Sequence, residues 1–114
     1  MPFEHVAAQI RTARTLENRA SAALKPYGIS YSRFELLSLL RHSRSGALAM
    51  KEISSSLGLP AASVTHAVTA LAEAGLVSRL ANPSDGRGVL VSITDQGIAL
   101  VSTVVPVLEK VFED

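Results

Sequence analysis

The chain has no cysteine, which excludes a disulfide framework, a thiolate zinc site and a cysteine redox sensor. No apolar run approaches the length of a membrane span, and the start, Met1-Pro2-Phe3-Glu4-His5, has neither a basic leader nor an apolar signal core. No membrane partner is expected, and the cytoplasm is the expected compartment. Strong charge of one sign is also missing. The net charge is +1, far from the balance of a protein that coats nucleic acid regardless of sequence. The three histidines, His5, His42 and His66, fall in separate segments without one-turn spacing, so no metal site is expected. Around the Ser54-Ser55-Ser56 run no nucleophile, base and orienting group assemble. Neither an enzyme nor a cofactor is expected.

What is present is one core's worth of apolar chain. With 114 residues and 47% hydrophobic content, residues 1–114 suit a single domain. Charge is unevenly spread: Arg11, Arg14, Arg19, Lys25, Arg33, Arg41 and Arg44 make the first half positive, while Glu109, Glu113 and Asp114 make the end acidic.

Apolar residues at Phe3, Val6, Ala7, Ile10, Ala13, Leu16, Ala20, Ala23 and Leu24 follow a helical period, so Phe3 to Leu24 is predicted to be an amphipathic helix ended by Pro26 and Gly28. Ser32 with Glu35 reads as a capping box opening a second helix, with Tyr31 and Leu36 placed as its staple. Phe34, Leu37 and Leu40 supply its core face, and His42 to Gly46 reads as a loop. A short helix through Met50, Ile53 and Leu57 is stopped by Gly58; another begins near Pro60 and ends at Gly75. In the latter, Val64, Val68 and Leu71 recur at helical spacing and turn Ser63, His66, Thr69 and Ala70 outward. Two helices joined by a tight turn, the second small and polar outside, make a helix-turn-helix.

From Gly75 to Gly97 the pattern changes period. A short strand through Val77 and Arg79 leads to the turn residues Asn82-Pro83-Ser84-Asp85-Gly86, and Val89 to Ile93 returns as an alternating strand. Asp-Gly between strand-like segments signals a hairpin, and Asn-Pro before it halts the first strand, so the tip projects as a wing. Arg87 lies two residues from Asp85, close enough for the carboxylate to orient the guanidinium, and an oriented arginine on a narrow tip suits a minor groove. Thr94 is the expected N-cap of a last helix, which is apolar on nearly every side from Ile98 to Phe112. Cover of that kind implies burial against a second copy of the chain, and Pro106 is expected to kink or break the helix. The rival reading is a terminal helix buried within one chain.

The helix order, the Gly75-Leu76-Val77-x-Arg79 step, the Pro83-x-Asp85-x-Arg87 wing and the Thr94-x-x-Gly97 restart together resemble the MarR family of bacterial transcription regulators. The resemblance covers nearly the whole chain. It implies a mainly α fold with a small β-hairpin wing, a DNA-binding lobe at 30–94, and first and last helices (1–26 and 95–114) forming a dimerisation region. It also implies a homodimeric repressor on a pseudo-palindromic double-stranded DNA operator, released by a small phenolic or lipophilic effector. Carried over by position, Ala62, Ser63, Thr65, His66 and Thr69 would lie on the recognition helix, Arg79 beside it on the wing strand, and Arg87, held by Asp85, at the wing tip. Ser32 and Arg33 are candidates for backbone contacts, and Ile10, Tyr31, Phe34 and Leu37 for the effector pocket.

Two departures stand out. His66 stands where relatives commonly place an arginine, and Thr69-Ala70 where an acidic-basic pair often follows, so base reading would rest on hydroxyl and imidazole groups, with Ala61 and Ala62 against thymine methyls. The family usually continues into a further long helix after Asp114, so the chain reads as a short or C-terminally truncated member. The alternative function is a winged-helix protein-interaction module without sequence-specific DNA binding.

Overall fold

The computed structural model describes residues 2–81 and 88–113. The expected wing-tip residues Asn82, Pro83, Asp85, Gly86 and Arg87 lie outside the described residues. The elements, in order, are α1 (Phe3–Leu24), a 3-10 turn (Lys25–Tyr27), α2 (Tyr31–His42), β1 (Ala47–Ala49), α3 (Met50–Leu57), α4 (Ala61–Glu73), β2 (Val77–Ala81), β3 (Val89–Ile93) and α5 (Asp95–Glu113). The fold is mostly helical with one small antiparallel sheet of order β1-β3-β2. By contact the chain divides into two units, one of Met1–Tyr31 with Thr103–Asp114 and one of Ser32–Ser102.

In the first unit α1 keeps its predicted span, and Gly28 closes the 3-10 turn with φ 72°. Ala20, Leu24, Ile29, Val104 and Leu108 are buried there. Arg19 Nη2 donates to the Val111 carbonyl at 2.8 Å, tying α1 to the last turn of α5. The start of α2 differs from expectation. The helix begins at Tyr31, so Ser32 lies within it rather than at its cap, and the Tyr31 N–H is received by Ser21 Oγ at 3.1 Å, from ten residues upstream. A tertiary hydroxyl has taken the place of the local box.

The second unit has its core at Leu36, Leu37, Leu40, Ile53, Val64, Val68, Leu71, Val77, Val91 and Val101. Ala47–Ala49, between the expected loop at 42–46 and α3, forms a strand that the sequence reading did not assign: β1 pairs antiparallel with β3, Leu48 opposite Val91, and thereby widens the expected hairpin to three strands. Three residues of Ala-Leu-Ala carry no usable alternation, so only the partner defines the strand. In β2 and β3, Val77 faces Ile93 and Arg79 faces Val91, which puts Arg79 on the same face of the sheet as Val77, with its own side chain exposed.

Pro106 neither ends nor interrupts α5, which runs unbroken from Asp95 to Glu113. Proline removes the N–H that would have met the Ser102 carbonyl, but both residues are exposed, so water can satisfy that oxygen. Nor is α5 covered on all sides by its own chain. Val101, Val104 and Leu108 are buried, while Val105 and Phe112 are exposed.

Candidate nucleic-acid interface

The site is built from how α3 hands over to α4. Glu52 Oε1 accepts the Ala49 N–H at 2.8 Å and so starts α3; alanine has no side chain to return the bond, so only half of a capping box exists. At the other end Gly58 takes φ 65°, a left-handed cap that glycine adopts without penalty. Ser54 then fixes the turn with both its groups: its carbonyl accepts the Leu59 N–H at 3.1 Å, and its hydroxyl donates to the Leu59 carbonyl at 2.5 Å. Ser54, the first of that serine run, thus supplies the lock of the helix-turn-helix.

Pro60, with extended backbone, precedes α4, and no side chain caps the helix. Val64, Val68 and Leu71 anchor the helix in the core. With one face fixed, the helical period leaves Ala61, Ala62, Ser63, Thr65 and His66 exposed and Thr69 half-buried. Five of the expected DNA-contacting residues therefore share one surface. The Thr65 hydroxyl donates to the Ala61 carbonyl at 3.0 Å, and Thr69 Oγ1 accepts from Arg79 Nη1 at 3.4 Å. That second bond brings the wing strand's arginine against the outer end of α4. Asp85 and Arg87 lie outside the described residues.

Charge is placed around α4 rather than on it. The helix has no lysine or arginine, and Glu73 is its last residue. Lys51, near the start of α3, is exposed and lines a notch of about 260 Å³ with Ser54, Ser55, Ala61 and Thr65. Lys51 is not among the residues singled out from the sequence, although its position just inside the first helix of the pair places it beside α4.

The corner after α4 is equally constrained. Gly75 has φ 77°, and the Leu76 N–H reaches back to the Leu71 carbonyl at 2.9 Å. Thr94 Oγ1 donates to the Gly75 carbonyl at 2.7 Å and accepts the Gly97 N–H at 3.1 Å. Thr94 is thus the N-cap that its sequence position suggested, and it also holds the end of α4. A side chain at Gly97 would collide with the Leu76 carbonyl and come within 2.7 Å of Ile93 Cγ1.

The expected effector residues are not alike. Phe34 and Leu37 are buried core, Tyr31 is half-buried at the first turn of α2, and Ile10 is exposed on α1. A cleft of about 460 Å³ in the first unit is lined instead by Ser21, Ala22, Lys25, Gly28, Ile29 and Ser30. Ser32 is exposed and Arg33 half-buried on α2. Among the described residues no cluster of histidine and carboxylate side chains could hold a metal ion, and no helix is long and apolar enough to cross a membrane.

A sequence profile of the MarR family matches residues 29–89. The HTH-type transcriptional regulator YdgJ of Bacillus subtilis strain 168 is 40% identical over 70 residues, covering 61% of this chain and 42% of that protein. MhqR of the same strain, also an HTH-type transcriptional regulator, is 28% identical over 96 residues, 84% of this chain and 65% of that protein. The chain thus spans less than two thirds of the length of these curated relatives. Among solved structures, Sco5413, a MarR family regulator from Streptomyces coelicolor, superposes with a TM-score of 0.86 at 34% identity, covering 94% of this chain and 74% of that one. Sco3205 from the same organism, solved in complex with DNA, also gives 0.86, at 27% identity over 92% of this chain and 66% of that one.

Proposed function

Because the chain belongs to the MarR family, we propose that it is a transcription regulator that binds a double-stranded DNA operator in a sequence-specific manner as a homodimer. The observation that carries the reading is the exposed Ala61–His66 surface of α4, held out by the Ser54 lock and flanked by Lys51 and the Thr69-bound Arg79. A small, uncharged helix face with cations at its margins can enter a major groove while the cations meet phosphates on either side. Ala62, Ser63, Thr65, His66 and Thr69 are assigned to the groove, Arg79 and Lys51 to the backbone, and Arg87, oriented by Asp85, to the minor groove.

The dimer reading rests on apolar side chains that the chain's own core leaves uncovered. In the first unit Phe3 is 79% exposed, Ile10 52% and Phe112 47%. Exposed large apolar residues of this number are normally covered by a partner, and a two-fold homodimer covers them with copies of themselves. Two recognition helices related by that axis would meet successive major grooves about 34 Å apart. Repression, and release by a small phenolic or lipophilic ligand, complete the reading. With Phe34 and Leu37 enclosed in the core, Ile10 and Tyr31 are the candidates a ligand could reach without unpacking it.

The test is binding of the purified protein to the DNA upstream of its own gene against a scrambled duplex of equal length, over a salt series, with the oligomeric state recorded. Selective binding by a dimer, with log affinity falling by about 0.9 per phosphate contact in log salt, is the expected result. A well-folded dimer that prefers no DNA, even after selection from random sequence, would favour the protein-interaction module instead.

A further inference from the structure

Resting on the DNA-binding reading, we infer that α4 recognises its half-site through the 5-methyl groups of thymine rather than through hydrogen bonds to purine edges. The helix Ala61–Glu73 contains no arginine, lysine, asparagine or glutamine, the side chains that read guanine or adenine with two bonds at once. What it exposes near its N-terminus, the end that meets base edges in a helix-turn-helix, is Ala61, Ala62, Ser63, Thr65 and His66.

The hydrogen bonds of α4 narrow this further. Thr65 Oγ1 is turned onto the preceding turn, where it donates to the Ala61 carbonyl at 3.0 Å. Its only proton is therefore occupied, and the γ-methyl is the substituent left to face outward. Thr69 Oγ1 in turn accepts from Arg79 Nη1. Ala61 and Thr65 are four residues apart and share one column of the surface, so their methyl groups stand about 6 Å apart along the axis. Two base-pair steps along one strand are about 6.8 Å. A pair of methyls on the helix thus matches thymines two steps apart, with the Ala62 methyl in the adjoining column. Alanine at two of the three positions also lets the backbone approach the groove floor, where apolar contact with a thymine methyl is the discriminating interaction.

The experiment uses the full chain and the duplex enriched by selection from random sequence. Thymines of the half-site are replaced by deoxyuridine, which removes the 5-methyl and nothing else, with replacements outside the half-site as control. Affinity should fall roughly fourfold for each contacted methyl removed, while 7-deazaguanine in place of guanine should change it by less than about twofold. A thymine position changed to 5-methylcytosine should bind better than the same position changed to cytosine. Thr65→Ser should lose affinity on thymine but not on the deoxyuridine duplex. Binding indifferent to deoxyuridine, or lost with 7-deazaguanine, would overturn the inference and leave the regulator reading standing. Enrichment of no duplex at all would overturn both.

Discussion

Helices α4 and α5 bury nearly the same stripe and expose opposite things. In α4 the core takes Val64, Val68 and Leu71; in α5 it takes Val101, Val104 and Leu108. Outside, α4 presents Ala61, Ala62, Ser63, Thr65 and His66, and α5 presents Val105 and Phe112 among polar residues such as Ser102, Glu109 and Lys110. The buried stripes account for why each helix folds onto its neighbours. On the proposed function the two outer faces meet different surfaces. Small groups with few cations fit a narrow, polar and rigid groove, whereas large apolar groups left in water call for like groups to cover them.

Leu71→Ala and Leu108→Ala test the shared half of this comparison and should have the largest effects. Each removes a nearly fully buried side chain and should cost about 2–5 kcal/mol in urea unfolding. A loss confined to one of them would show that the two stripes are not equivalent anchors.

The outer face of α4 is the next point of attack. On the proposed reading Arg87 supplies a cationic contact from the wing, so Arg87→Ala should weaken operator binding by about 1–3 kcal/mol while thermal stability stays within about 0.5 kcal/mol. Unchanged affinity would remove the wing from the mechanism. On α5, Phe112→Asp should raise the dimer dissociation constant at least tenfold, about 1.4 kcal/mol, by sedimentation, whereas His66→Ala should leave the dimer intact and lower only DNA binding. If both variants altered both properties, the division of labour between the two faces would fail. The smallest effect belongs to the corner that joins the helices: Thr94→Val deletes the bonds to Gly75 and Gly97 and should cost about 1 kcal/mol of stability by chemical denaturation.

Local signals were legible in the sequence. The span Phe3–Leu24, the glycine stops at Gly28, Gly58 and Gly75, and the Thr94 cap each depend on residues within one turn of one another. Features that required a distant partner were not. Ser21 caps α2 from ten residues away, β1 exists because β3 lies beside it, and Arg79 meets Thr69 only because the Gly75 corner folds the strand back on the helix. Ser54 gives no local sign of its part, which lies in the Leu59 carbonyl that its hydroxyl binds across the turn. Pro106 sits inside an unbroken helix on an exposed face, where water can take the carbonyl that its missing N–H leaves free. The outward set on α4 followed from the Val64, Val68 and Leu71 period, but the direction of the Thr65 hydroxyl did not.

The Thr94 hydroxyl gives its proton to the carbonyl at the end of one helix and its lone pair to the Gly97 N–H at the start of the next. The Gly97 amide hydrogen can exchange with solvent only when that corner opens, whichever helix moves first. Its deuterium uptake would therefore act as a clock for the whole junction, timing how often α4 comes loose from the helix that follows it.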